Sequence, residues 1–138
     1  MLLGTWVLLS LNAAWDVVSG VSMLATVGDC DRREPVCPGW VEALAQMHTE
    51  LYAEPWDAYE NGAARATMAW LVLGLGAVRG WAAWVHFPLV GLATYLFEAA
   101  WLVGETLAGR MEPRKALLTA GLSLACAGVV WVPHLYGV

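Results

Sequence analysis

Apolar positions in this chain are gathered into four long runs rather than spread along it. The first, residues 2–26, is interrupted chiefly by Asn12 and Asp16. The second, 63–84, has Arg65 at its start and Arg79 near its far end, and the third, 89–107, carries Glu98 and Glu105. The fourth, 116–136, holds no ionisable group besides Cys126 until His134. About 20 apolar residues at a rise of 1.5 Å cross the hydrocarbon layer of a bilayer, so each run is long enough to span it. The predicted fold class is all-α: one integral membrane domain over residues 1–138, a bundle of four transmembrane helices. A cleaved signal peptide is the competing reading of the first run, but that run is too long and no basic residue precedes it.

Between the first two runs lies a polar loop, 27–62, too long for a simple turn. It opens with the turn-rich Gly28-Asp29-Cys30-Asp31-Arg32-Arg33-Glu34-Pro35. After Pro38-Gly39, Trp40, Leu44, Met47 and Leu51 alternate at helical spacing with Glu42, Gln46 and Glu50. That pattern predicts an amphipathic helix over Trp40–Tyr52, lying on the membrane or on a partner, or else solvated as an ordinary loop helix. Pro55 and Asn61-Gly62 punctuate the approach to the second run. His86-Phe87-Pro88 reads as a tight hairpin and 110–115 as a short polar turn.

Four spans place both termini and the 86–88 hairpin on one membrane face, with the 27–62 loop and the 108–115 turn on the other. Trp6, Trp81, Trp84, Trp131 and Tyr136 fall near the first face and Trp70 and Trp101 towards the second, as amphipathic rings at headgroup level would. Arg32, Arg33, Arg65, Arg110, Arg114 and Lys115 all belong to the long-loop face, which the positive-inside rule assigns to the cytosol or matrix.

Composition narrows the function classes. Hydrophobic residues make up 59% and charged residues 14%, against roughly 25% charged in a soluble domain. The net charge of −5 offers no basic footprint for nucleic acid. Eight of the 12 acidic residues lie between Asp29 and Glu60, so the acidity belongs to the loop. Cys30 and Cys37 share that loop and could pair in an oxidising compartment; on the cytosolic or matrix side the disulfide is disfavoured. No second Cys or His pair completes a zinc pattern, so no metal is expected. Cys126 reads as a small packing residue. His48 lies in the loop and His86 and His134 at span ends, which is poor placement for haem. A metal or pigment bridging His86 and His134, which share a face, is the minor alternative. With no HExxH, Walker, dinucleotide or nucleophile motif, the chain is not expected to be an enzyme.

Lipid removes the hydrophobic drive between helices, so close approach at small residues must replace it. The second span has Gly76 and Gly80 on a stripe with Ala69 and Ala83; the fourth has Gly121, Ala125 and Gly128 on one face. These five residues are the candidate helix-packing or partner contacts. Asp16, Arg79 and Glu98 form the candidate intramembrane charge cluster, each costing roughly 2.5–3.5 kcal/mol to insert. From the helix rise they sit about 22, 10 and 15 Å from the terminus-bearing face. Asp16 or Glu98 can therefore meet the long Arg79 side chain, Glu98 the more easily, as an ion pair that sets helix register or as part of a proton relay.

Glu50-Leu51-Tyr52, then Asn61-Gly62-Ala63-Ala64-Arg65 and Trp70, ending at Val78-Arg79, resemble the ergosterol biosynthetic protein 28 family. The likeness covers about residues 48–79 and continues as topology elsewhere. The Asn-Gly to Arg spacing is one residue short, Arg79 is displaced by about one position, and the family's third-span His is lost while an acid remains at Glu98. The acidic, Cys-bearing insert at 28–37 is unfamiliar for that family. The resemblance implies a four-helix scaffold without catalytic activity that tethers enzymes, in the family's case those of sterol C-4 demethylation in the endoplasmic reticulum.

The expected function is thus a non-catalytic accessory or scaffold subunit of a larger membrane assembly, in an organelle membrane such as the mitochondrial inner membrane or endoplasmic reticulum. The expected partners are other membrane subunits and lipid, without nucleic acid and with no cofactor other than a bound lipid. Two alternatives belong to other classes: a lipid- or sterol-binding protein with a Trp-lined cleft, and a proton- or ion-conducting element using Asp16, Arg79 and Glu98.

Overall fold

Long apolar runs offer a backbone few hydrogen-bond partners but itself, and helices satisfy every interior N–H and C=O within the segment. In the structure, a computed structural model that describes residues 1–27, 39–49, 51–52 and 62–137, the chain is all-helical. Its helices are α1 (Leu3–Thr26), α2 (Gly39–Thr49), α3 (Gly62–Trp84), α4 (Pro88–Leu107) and α5 (Pro113–Leu135). Cys30 and Cys37 lie outside the described residues.

The element boundaries have local causes. Pro88 and Pro113 open α4 and α5, where a missing N–H costs nothing and φ is already helical. Glu112 caps α5, its carboxylate accepting from the Arg114 and Lys115 amides at 3.3 and 2.7 Å. The α3–α4 hairpin turns through His86, whose φ of 55° is the one positive value at a described non-glycine residue.

Helices α1, α3 and α5 are long and apolar enough to cross a membrane, which marks the chain as a membrane protein. Their outward positions agree with that: Leu11, Val18, Trp70, Leu118 and Val129 are all exposed. So much apolar surface belongs against lipid rather than water. Helix α4 is 20 residues long and carries both Glu98 and Glu105.

Helix α1 packs along α3, α4 along α5, and α3 meets α4; α1 and α5 touch only briefly. Helix α2 folds back against α1. Its Ala45 and the following Leu51 are buried, whereas Trp40 and Met47 stay exposed. The Trp40–Leu51 stripe is therefore split, its Leu51 end joined to the bundle. Residues 51–52 meet the α4–α5 turn: Tyr52 and Met111 form an antiparallel bridge, and the Glu112 amide donates to the Leu51 carbonyl at 2.8 Å. A two-pronged pair, Arg110 to Glu105 at 2.7 and 2.6 Å, stiffens that turn. Burial pushes the nearby Tyr52 phenol above its ordinary pKa, and the Glu105 carboxylate adds to the shift.

Two apolar clusters fill the interior. Met23, Ala45, Leu51, Met68, Leu102 and Met111 belong to the one at the loop end. Leu9, Ala82, Ala83, Tyr95, Ala127 and Val130 form the other, with Met1 against it. Between them, at mid-bundle, the side chains are polar.

Candidate functional site

The polar layer is built around Arg79, which is 2% exposed. Its position on α3 aims it across the bundle, and each part of its guanidinium finds an acceptor. Nη1 donates to Asp16 Oδ2 of α1 at 2.7 Å, and Nη2 donates to Glu98 Oε2 of α4. Nε donates to Thr94 Oγ1 at 3.0 Å, and that hydroxyl donates in turn to the Gly91 carbonyl at 2.7 Å. The Tyr95 ring lies under the guanidinium, 4.3 Å from Cζ to centroid. Asn12 completes the layer by donating from Nδ2 to the Tyr95 hydroxyl at 2.6 Å. One arginine thus joins α1, α3 and α4, the arrangement for which a rigid fork of donors suits better than an ammonium.

Both acids reach Arg79 because the helices come close. A Cβ on Gly76 would lie 2.8 Å from Asp16 Cβ and 3.1 Å from the Ala13 carbonyl. The Gly80 position is looser, with Ala13 Cβ at 3.6 Å. Gly76 and Gly80 accordingly belong to the α1–α3 contact inside the bundle. Two further close approaches involve Gly20, which would meet Leu73 and the Ala69 carbonyl, and Gly91, which would meet Leu9. The α5 stripe is different. Gly121, Ala125 and Gly128 are exposed, and nothing lies within 4 Å of a Cβ built on either glycine. Gly128 borders an outer apolar groove of about 390 Å³ between α4 and α5, with Leu92, Leu96, Leu124 and Trp131.

The cost of intramembrane charge singles out Asp16, Arg79 and Glu98 in the sequence, but not Asn12, Thr94 or Tyr95. Asn12 shows as a polar break in the first run, one turn before Asp16, and Thr94 lies one turn before Glu98, whereas Tyr95 carries no such signal. Arg65 is also more than a loop charge. It is 1% exposed and donates from Nη1 to the Thr26 carbonyl at 3.1 Å, placing a cation at the negative end of α1. The His134 ring lies tilted against that of Trp131, 5.6 Å between centroids. No group of three His, Cys, Asp or Glu among the described residues is placed to hold a metal.

The chemistry this layer offers is electrostatic. Two carboxylates and one guanidinium meet between apolar clusters, held by hydrogen bonds to a hydroxyl and flanked by an aromatic face. The chain matches no protein-family model, no curated protein and no solved structure.

Proposed function

We propose that this chain is a non-catalytic accessory subunit of a membrane assembly, with α5 as its docking helix. The observation that carries the reading is the contrast between its two small-residue stripes. The α3 stripe is consumed inside the bundle against α1, whereas Gly121, Ala125 and Gly128 face outward with nothing over them. In lipid, small residues on an outer face invite close approach by another helix, because dispersion and backbone proximity replace the hydrophobic drive. The partner that fits is a transmembrane helix of another subunit. The likeness of residues 48–79 to the ergosterol biosynthetic protein 28 family points the same way, towards a scaffold in an organelle membrane. Arg79 then serves as an internal cross-link that gives the bundle one fixed face to present. A layer bounded on both sides by apolar clusters favours such a cross-link over a conduction path.

Gly128→Leu should release the chain from co-purifying subunits, read by native mass spectrometry of gently solubilised membranes, while membrane insertion is unchanged. Gly80→Leu, which faces α1, should instead weaken the fold. If the Gly128→Leu protein keeps every partner, or the native protein is purified alone, the docking role of α5 fails.

The same reading takes α4 as a fourth span, with α2 at the membrane surface. The meeting of residues 51–52 with 111–112 supports a shared face for the long loop and the α4–α5 turn, and Met1 packs at the opposite end with Val90. Added cysteines at Arg114 and Tyr136 should therefore react with impermeant reagents from opposite sides of the membrane. Labelling from the same side would exclude four spans.

A further inference from the structure

Two cavities adjoin at the polar layer, of about 280 and 220 Å³. Both are walled by Trp15, Asp16, Glu98, Thr119 and Leu122, so they share a junction at the two carboxylates. Beyond that junction they differ in kind. The larger runs towards the loop end, where apolar side chains such as Met68, Leu75, Trp101 and Leu102 line it. The smaller runs the other way, past Asn12, Arg79, Tyr95, Ser123 and Cys126. Each alone is below the roughly 300–1,000 Å³ of small-molecule sites, and joined they fall within it. An apolar chamber that ends in a polar one has the form of an amphiphile.

Access is lateral. The bundle is closed by contacts of α1 with α3, α3 with α4 and α4 with α5, but α1 and α5 barely touch. Trp15 on α1 and Leu122 on α5 wall both cavities yet are 42% and 60% exposed, so they stand at the mouth of a cleft facing lipid.

Charge selects the head group. Asp16 and Glu98 each give one oxygen to a single guanidinium, so with both ionised the layer lacks one positive charge. An unbalanced carboxylate in a low-dielectric interior is costly. Of the two acids Glu98 is the more open, its side chain 23% exposed where it borders the junction. A protonated amine there would restore neutrality and lie beside the Trp15 ring, where a cation is favoured.

We infer that this cleft is a binding site for a cationic amphiphile, its ammonium at Glu98 and its hydrocarbon chain between Met68, Leu75 and Trp101. The site is separate from the outer α5 face and does not rest on the docking reading, since it is tested on the isolated protein. The protein in phosphatidylcholine nanodiscs is heated with dodecylamine or with dodecanol, and unfolding is followed by tryptophan fluorescence. Dodecylamine should raise the midpoint by several degrees, and dodecanol by much less. Glu98→Gln should bring the amine down to the alcohol's effect. Leu122→Trp, which fills the junction from an exposed position, should abolish the response to both. Equal shifts for the two probes, or no shift with either, would overturn the inference, as would an amine response that survives in Leu122→Trp. Should Glu98→Gln fail to fold, the probe comparison and Leu122→Trp still decide.

Discussion

Arg79→Leu is expected to destabilise the bundle by on the order of 3–5 kcal/mol, the range for removing one partner of a buried ion pair. The loss comes less from missing attraction than from what stays behind. Asp16, 7% exposed, and Glu98 would be left facing each other without a cation, and Thr94 would lose the donor at its hydroxyl. Arg79→Lys should fall between leucine and the native residue, because one ammonium cannot reach Asp16, Glu98 and Thr94 with the geometry of a planar fork. Combining Arg79→Leu with Asp16→Leu and Glu98→Leu should recover much of the loss, since no charge is then stranded and the sites are filled with apolar volume. Unfolding of the purified protein in mild detergent by graded denaturant would measure all three. If Arg79→Leu costs under about 1 kcal/mol, water or lipid headgroups reach the cluster and the dry cross-link is wrong.

The second large effect is expected at Gly76. A methyl group there would sit 2.8 Å from Asp16 Cβ, 3.1 Å from the Ala13 carbonyl and 3.2 Å from Val17 Cγ2. None of these is the far end of a flexible side chain, so α1 and α3 must separate. Overpacking of this kind costs about 1–3 kcal/mol for small insertions, and Gly76→Leu should exceed Gly76→Ala. The displacement also draws Asp16 away from Arg79, so the packing and electrostatic losses are coupled. A double-mutant cycle of Gly76→Ala with Asp16→Asn should therefore show non-additivity. Gly121→Ala is the control, because nothing lies within 4 Å of its added Cβ, and it should be near neutral. Equal effects at the two glycines would mean that α1 and α3 are not closely packed.

Much of the architecture is readable from residue order. Apolar runs become helices because a backbone surrounded by hydrocarbon must satisfy its own polar groups, and the prolines at 88 and 113 mark where two helices begin. The three charges likewise announce themselves, since none would persist in an apolar run without a partner. The rest of the site is quieter. Thr94 and Tyr95 draw no notice in an apolar helix and Asn12 is an uncharged break in its run; they join the layer only because three helices aim them at one point.

What the residue order determines by itself is therefore which segments are helical, which of them are apolar enough for lipid, and which charges need company. It does not determine which face of each helix turns inward. Helices α3 and α5 both carry small residues at helical spacing, and in lipid no difference in polarity tells an inner small face from an outer one. Only the tertiary structure decides between them. It spends Gly76 against Asp16 and leaves Gly121 and Gly128 uncovered, because the cross-link from Arg79 to α1 and α4 holds α3 in the one rotation that serves all its partners.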